Sequence, residues 1–582
     1  MKKQRNLPAA VACVRQFIIF SFRRKREKAH AARTRYLPWL SEKMELDMTI
    51  FSRLSLAFSL FVPLAISTAQ TGQPSDVDRL VSALDSIAAT TYVNNWKSSP
   101  DLSTAVFDGD PTSAGFNDSN WRDVRLGGEI HVDSCWIRKV IVLPDSIFGK
   151  PVRGRISLYV ALDNYGYMWI NGKDEGYFPF DKEFVLTEDA KPGMKFVAAI
   201  KAVNGGANIH LMHAELRSDS IGTLPDMVRD LALSFRVGQK ILSFDTYQTN
   251  SHVKIDPRID KSHMNRGEKT DLNHLLQSLA TRIDVDALYA GDTGKFMSSV
   301  NLVRPLLKPI SDFAKQYTLY FVANAHIDAA WLWRYMETID ICERTFGSVL
   351  HMMDVRPDMT YAQSAAAYYD WMEKYDPAVF NGIKQRVKDG RWEVVGGMWI
   401  EPDCNIPSGE SWMHQLLYSQ DYFKKNLGVE AKIGWNPDSF GYTWNMPEFY
   451  VNAGIDAFIT QKIGWNDTNV FPYRVFWWES PDGSKILSYF PFDYVNQVTD
   501  PYGLADWMRQ FEANTGFTSM MVLFGVGDHG GGPSLEMMKR IDHLKTLDIY
   551  PKVEFGTTAN YIKWLKSQDL SKLPVWNSEL YL

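Results

Sequence analysis

The sequence predicts a multidomain chain in which an all-β part precedes an α/β part, and three changes of pattern carry that prediction. Short apolar-alternating runs broken by turn residues fill about 107 to 216, helical periodicity fills about 225 to 307, and apolar runs alternate with amphipathic stretches from Tyr317 onward. Period-two alternation with frequent turns is the mark of a β-sandwich. Short apolar strands separated by helix-length amphipathic segments are the mark of a parallel sheet covered by helices. The expected division is a leader over 1–69, a β-sandwich over 78–222, a helical connector over 223–315 and an α/β domain over 316–582.

The length of 582 residues and a composition of 45% hydrophobic and 13% aromatic residues suit several packed cores and exclude disorder and a multi-span membrane protein. The formal charge of −5 conceals an asymmetry. Met1 to Asp47 carries twelve Lys/Arg against four Asp/Glu, whereas residues 70–582 carry 50 basic and 64 acidic side chains, a net of −14. An acidic body speaks against nucleic acid, whose phosphates require basic patches. Within the leader, Arg53 precedes an apolar run from Leu54 to Ile66 and the small residues Ser67-Thr68-Ala69, the pattern of a secretory signal over 48–69 with Met48 or Met44 as the start. The run is too short for a permanent span, which takes roughly twenty residues, so export to a periplasm or beyond is expected and stable membrane insertion is not. Cys13 lies in the leader. Cys135, Cys342 and Cys404 have neither the number for a disulfide framework nor the spacing of a zinc knuckle, and are expected as buried or free thiols.

In the β part, Trp136–Leu143 and Arg155–Ala161 read as strands. Tyr167-Met-Trp-Ile enters Asn171-Gly172, the dipeptide of a type I′ hairpin, and Lys191-Pro-Gly193 turns into a strand at Phe196–Ile200. The order of these pieces, and the Trp-Ile-Asn-Gly-Lys hairpin above all, resembles the galactose-binding-like jelly rolls attached to many glycosidases. In the connector, Leu272, Leu275, Leu276 and Leu279 form one stripe behind Thr270-Asp271, the expected helix start. In the α/β part the expected strands are Tyr317–Ala323, Tyr361–Gln363, Trp392–Gly396, Lys432–Trp435, Ala457–Gln461 and Ser519–Phe524, with a helix from Ser408 to Tyr422 whose first turn carries Glu410.

Ligands in such folds bind beyond the carboxyl ends of the strands, and three strand ends carry chemistry. In the first, an apolar strand runs into His326-Ile-Asp328, whose alternate residues face one side and could share a Zn²⁺. Spacing alone is weak, since His131-Val-Asp133 repeats it in the β part. In the second, Trp435-Asn-Pro-Asp438-Ser-Phe440-Gly presents a carboxylate able to act as nucleophile, metal ligand or both, or simply as an N-cap. In the third, Gly525-Val-Gly-Asp528-His529-Gly-Gly-Gly lets backbone approach a ligand without matching a phosphate loop, and Asp528 could be a general acid/base.

Asn-Ala-His326-Ile-Asp328-Ala-Ala-Trp331, Gly-Gly-Met-Trp399-Ile-Glu-Pro-Asp403, Trp435-Asn-Pro-Asp438-Ser-Phe-Gly, Gln461-Lys462-Ile-Gly-Trp465-Asn-Asp-Thr-Asn469 and Gly-Asp528-His-Gly-Gly-Gly-Pro together resemble glycoside hydrolase family 38, the zinc-dependent α-mannosidases, from about Tyr317 to Leu582. The likeness is strongest to its cytosolic, vacuolar and bacterial branch. The resemblance implies a seven-stranded α/β barrel and retaining hydrolysis of terminal α-mannosyl linkages in glycans. It implies one Zn²⁺ on His326, Asp328 and Asp438, with Asp438 also the nucleophile and Asp528 the acid/base. Trp331, Phe440, Lys462 and Tyr494 would contact the sugar. Retention would set the two catalytic carboxyls about 5–5.5 Å apart. The oligomeric state is left open, a homo-oligomer included.

The sequence departs from the family at two points. His529 stands where the branch usually has Gly, and the chain stops at Trp576-Asn-Ser-Glu-Leu-Tyr-Leu582, before the helical segment that brings a fourth, His ligand and before large β domains. A truncated product is therefore expected, with an unpaired apolar edge at its end. An inactive or merely carbohydrate-binding remnant, and a metal-dependent polysaccharide deacetylase on a similar barrel, are the alternatives. The mixed ligand set would also accept Co²⁺ or Mn²⁺.

Overall fold

The computed structural model describes residues 74–203, 209–244, 265–466, 468–495, 498, 500–527 and 530–582. The segment expected as a signal sequence, Asp528 and His529 lie outside the described residues. No helix among the described residues is long and apolar enough to cross a membrane.

The β part is an eight-stranded antiparallel sheet. Its centre is the long hairpin of Gly154–Ile170 and Lys173–Ala190, flanked by Lys195–Val203 and Ile209–Ser218. The hairpin turns at Asn171-Gly172, where φ values of +51° and +80° supply the two left-handed residues of a type I′ turn. Asn171 also ties the turn to the next strand, its Oδ1 accepting from the Val197 N–H at 2.8 Å. His131 and Asp133 are exposed here, so their spacing builds no site.

A helix over Asp76–Ala88, which the sequence pattern does not announce and which falls inside the span expected to be sandwich, buries Val77, Leu80, Val81, Leu84 and Ile87. It packs beside the connector, where Val77 N–H donates to Gln277 Oε1 at 2.9 Å. In the connector the Leu-striped helix runs Arg266–Ala280 and starts a turn before Thr270-Asp271. The reason is tertiary: Lys269, in that added turn, is buried and pairs with Glu512 at 2.8 Å, and Glu512 also accepts from the Tyr317 hydroxyl at 2.8 Å. Removing one partner of such a pair costs about 3–5 kcal/mol, which outweighs a cap preference of about 1 kcal/mol.

The α/β part contains two five-stranded sheets. Thr318–Asn324 pairs in parallel with Ser519–Phe524 and Lys552–Phe555, and with Tyr361–Gln363, which pairs with Trp392–Val394. In the other sheet, Ile433–Trp435, Ala457–Ile459 and Lys485–Tyr489 run parallel, and Val475–Glu479 returns antiparallel on Lys485–Tyr489. Ser519–Phe524 is buried at every position, the pattern of a strand covered on both faces. The helix over Gly409–Tyr422 starts on Ser408, whose Oγ accepts from the Ser411 N–H, with Glu410 in its first turn.

The end of the chain differs from the expected bare edge. Leu580–Tyr581 pairs antiparallel with Gly441–Tyr442, and Val575–Trp576 lies parallel to Trp477–Trp478. Cys135, Cys342 and Cys404 are buried free thiols.

Candidate active site

The site lies where parallel strands end. Thr318–Asn324 delivers buried Asn324, whose Nδ2 donates to the carbonyls of Tyr494 and Phe524 at 3.2 and 3.4 Å and so fixes where the strand stops. Two residues on, His326 is 6% exposed. Asp328 follows on the same side, its backbone carbonyl accepting from Trp333 Nε1 at 3.3 Å.

Asp438 arrives from the end of Ile433–Trp435. Its loop is held from several sides: Asn436 N–H donates to Ile459, the Tyr442 hydroxyl to Asn436 O, and Lys462 N–H to Pro437 O, at 3.1, 2.8 and 3.0 Å. Anchors to the backbone on both sides thus aim the carboxylate.

The three groups meet. One ligand atom from each of His326, Asp328 and Asp438 lies within 4.8 Å of the others. His326 Nε2 stands 3.6 Å from Asp328 Oδ1 and 3.5 Å from Asp438 Oδ2, and it is buried without a hydrogen-bond partner. An orphaned buried imidazole nitrogen between two carboxylates is what a divalent cation would satisfy, and imidazole with carboxylates is a donor set that zinc takes. In the cluster by itself, burial would lower the His326 pKa, but Asp328, Asp438 and Glu401 together push it up to about 10.

The other oxygen of Asp438 is occupied. Oδ1 accepts from Lys462 Nζ and from the Tyr494 hydroxyl, both at 2.5 Å. Burial alone would raise the Asp438 pKa, whereas His326, Lys462 and Tyr494 hold it down at about 2. Lys462 is itself held by aromatic faces, with Nζ 3.6 Å from the Trp465 ring centre and 4.8 Å from that of Phe440. Tyr494 sets its ring edge-on to His326 at 5.3 Å. Lys462 and Tyr494, read from the sequence as sugar contacts, therefore meet the carboxylate first.

These residues line one cavity of about 960 Å³. Trp331 and Phe440 are 59% and 60% exposed on its wall, as rings that face a ligand would be. Asp528 falls outside the described residues, but the chain before it is packed into the site. A Cβ added to Gly527 would lie 3.4 Å from His326 Cβ and 2.4 Å from Val495, and one on Gly525 only 2.1 Å from the Asn324 carbonyl. Gly525 and Gly527 thus stand where Asn324, His326 and Val495 leave no room for a side chain.

Sequence reasoning singled out no role for Glu401. It lines the cavity, its Oε2 3.7 Å from His326 Nδ1, and it accepts from Ser439 Oγ at 3.0 Å. Burial raises its pKa against the opposing pull of His326. Its sequence signal was its place in Gly-Gly-Met-Trp399-Ile-Glu-Pro-Asp403, a motif of the resemblance that assigned this Glu no role.

Residues 316–579 match the family described as glycosyl hydrolases family 38 N-terminal domain. These residues are a family 38 glycosyl hydrolase domain. The family 38 match agrees with two curated relatives. The chain is 36% identical over 291 residues to alpha-mannosidase G of Dictyostelium discoideum, covering 50% of this chain and 27% of that one. It is 34% identical over 274 residues to alpha-mannosidase 2C1 of Homo sapiens, covering 46% and 26%. The match thus spans about a quarter of the length of these relatives. Among solved structures, an alpha-mannosidase from Enterococcus faecalis V583 aligns with a TM-score of 0.40 at 20% identity, over 45% of this chain and 31% of that one. The cavity with His326, Asp328 and Asp438 lies inside the family 38 domain.

Proposed function

We propose that the chain is a zinc-dependent, retaining α-mannosidase acting on terminal α-mannosyl linkages of glycans. The observation that carries this reading is the His326–Asp328–Asp438 cluster, with Asp438's second oxygen held by Lys462 and Tyr494, at the strand ends of a family 38 domain. His326, Asp328 and Asp438 would hold the metal, which when bound would supply a Lewis acid that orients sugar hydroxyls.

In the first step Asp438 attacks the anomeric carbon, the glycosidic C–O bond breaks, and Asp528 gives its proton to the leaving oxygen. In the second, Asp528 takes a proton from water, the water oxygen bonds to that carbon, and the Asp438 ester bond breaks. Lys462 and Tyr494 keep the carboxylate of Asp438 ionised before it attacks, hold its plane, and stabilise its charge again as the ester bond breaks in the second step. Trp331 and Phe440 would stack on the sugar. With Lys552–Phe555 set aside as an added strand on Thr318–Asn324, the other seven parallel strands would close as a barrel, a reading supported by the Gly396 N–H donating to Ile433 O at 2.7 Å at one seam and the Met521 N–H donating to the Tyr489 hydroxyl at 3.0 Å at the other. The antiparallel sheet would be a jelly roll, and the leader would export the protein.

The test is hydrolysis of an aryl α-mannoside by purified chain stripped with a chelator and then given Zn²⁺, with the first-formed anomer read by proton NMR. Zinc-restored turnover giving α-mannose first is expected. Metal-independent turnover, or β-mannose first, would overturn the proposal.

A further inference from the structure

We infer that Glu401 is a positioning residue for His326: its carboxylate accepts the Nδ1–H of the imidazole and so keeps the Nε2 lone pair turned toward Asp328 and Asp438. The inference rests on the metal reading of that cluster.

A neutral imidazole carries one N–H and one lone pair, and the acceptor beside one nitrogen decides which is which. Around His326 two carboxylates compete for that proton on the wrong side. Asp328 Oδ1 and Asp438 Oδ2 lie 3.6 and 3.5 Å from Nε2, and both would draw an N–H there, where it would block a cation. Opposite them is Glu401, with Oε2 3.7 Å from Nδ1. Among the described residues it is the one acidic partner of that nitrogen within 4.0 Å.

The placement of Glu401 is built. Its side chain is only 16% exposed, and its other oxygen accepts from Ser439 Oγ at 3.0 Å. Ser439 directly follows Asp438, so one carboxylate joins the back of the histidine to the loop that carries the nucleophile. The gap to Nδ1 exceeds a hydrogen bond by roughly 0.8 Å, and the inference requires it to close in the metal-loaded protein. Partners on the outer nitrogen of a ligand histidine are typically worth about 10–100-fold in metal affinity.

The experiment is competition for Zn²⁺ between the metal-free full chain and a chromophoric chelator at neutral pH, for the wild type, Glu401→Gln and Glu401→Ala, with melting of each metal-free protein alongside. Glu401→Ala should bind Zn²⁺ about 10–100-fold more weakly while its metal-free form melts with the wild type. Glu401→Gln, whose amide oxygen still accepts Nδ1–H but without the charge, should recover only part of that loss, whereas a purely steric role would be restored in full by this near-isosteric side chain. If the alanine variant fails to fold, the near-isosteric glutamine variant decides, since its affinity must lie measurably below wild type. Wild-type affinity in both variants, with KM raised instead, would overturn the inference and place Glu401 on the substrate. A wild-type chain that takes up no Zn²⁺ would overturn the metal reading beneath it, a failure that the wild-type titration shows on its own.

Discussion

Replacing Asp438 by Ala leaves a hole whose walls are already defined. Lys462 Nζ and the Tyr494 hydroxyl, each 2.5 Å from the lost oxygen, remain as two donors aimed at empty space. Hydrogen bonds to a charged acceptor are worth about 1.5–3 kcal/mol each, so two of them give about 3–6 kcal/mol before the cost of capturing a free anion, which leaves formate or azide bound at millimolar strength or weaker. Loss of a covalent nucleophile costs roughly 10⁴-fold, or about 5.4 kcal/mol at 1.36 kcal/mol per tenfold. The assay is aryl α-mannoside hydrolysis by Asp438→Ala at saturating Zn²⁺, because the same residue faces His326 and its loss weakens the metal cluster as well. At about 100 mM, formate should occupy the hole and recover at least tenfold in rate. Azide should give the β-mannosyl azide, since it enters from the face Asp438 vacated. Activity within tenfold of wild type before any anion is added, or no gain in rate from formate, would refute the reasoning.

Lys462→Met removes the ammonium from Asp438 while keeping a side chain of similar length against Trp465 and Phe440, and should lower kcat/KM by about 10–100-fold, the worth of one charged hydrogen bond. A pH profile from 5 to 8 should show a uniform drop, because Asp438, held at about 2 in the wild type, stays ionised there even if it returns to its ordinary value of 3.8. An unchanged plateau would count against the clamp. Outside the site, Glu215 accepts from Arg217 and Arg229 at 3.0 and 2.9 Å; burial would raise its pKa, but His213 and the two arginines hold it at about 2. Its contribution is present above its ordinary value of 4.5 and is lost as pH falls toward 2, so Glu215→Gln should destabilise by up to about 3 kcal/mol near pH 7 and progressively less below pH 4. Calorimetric melting across that range checks the sign, and a deficit that grows on acidification would contradict it.

The elements that the sequence announced are those with local causes. Tyr361–Gln363 and Ser519–Phe524 are strands over those residues because short apolar runs between helical segments have few other places to go, and Asn171-Gly172 turns because its two residues tolerate positive φ. His326, Asp328 and Asp438 were legible for a related reason: a polar group straight after a buried strand sits at the sheet's end, whatever the strand's neighbours are. The helix over Asp76–Ala88 and the hairpin of Val475–Glu479 and Lys485–Tyr489 were not among the expected elements, although Ser480-Pro-Asp-Gly483 between the two strands is a strong turn signal.

Composition, period and strand-end chemistry therefore determined the α/β class, the acidic body and the three residues that face one another in the cavity. Only the tertiary structure decided that Lys462 and Tyr494 hold Asp438, that Glu401 stands behind His326, and that Lys269 pairs with Glu512 across 243 residues of chain. Side-chain pairing of this kind depends on the distance between atoms brought together by packing, and a burial pattern along the chain records which residues face inward without recording which of them meet.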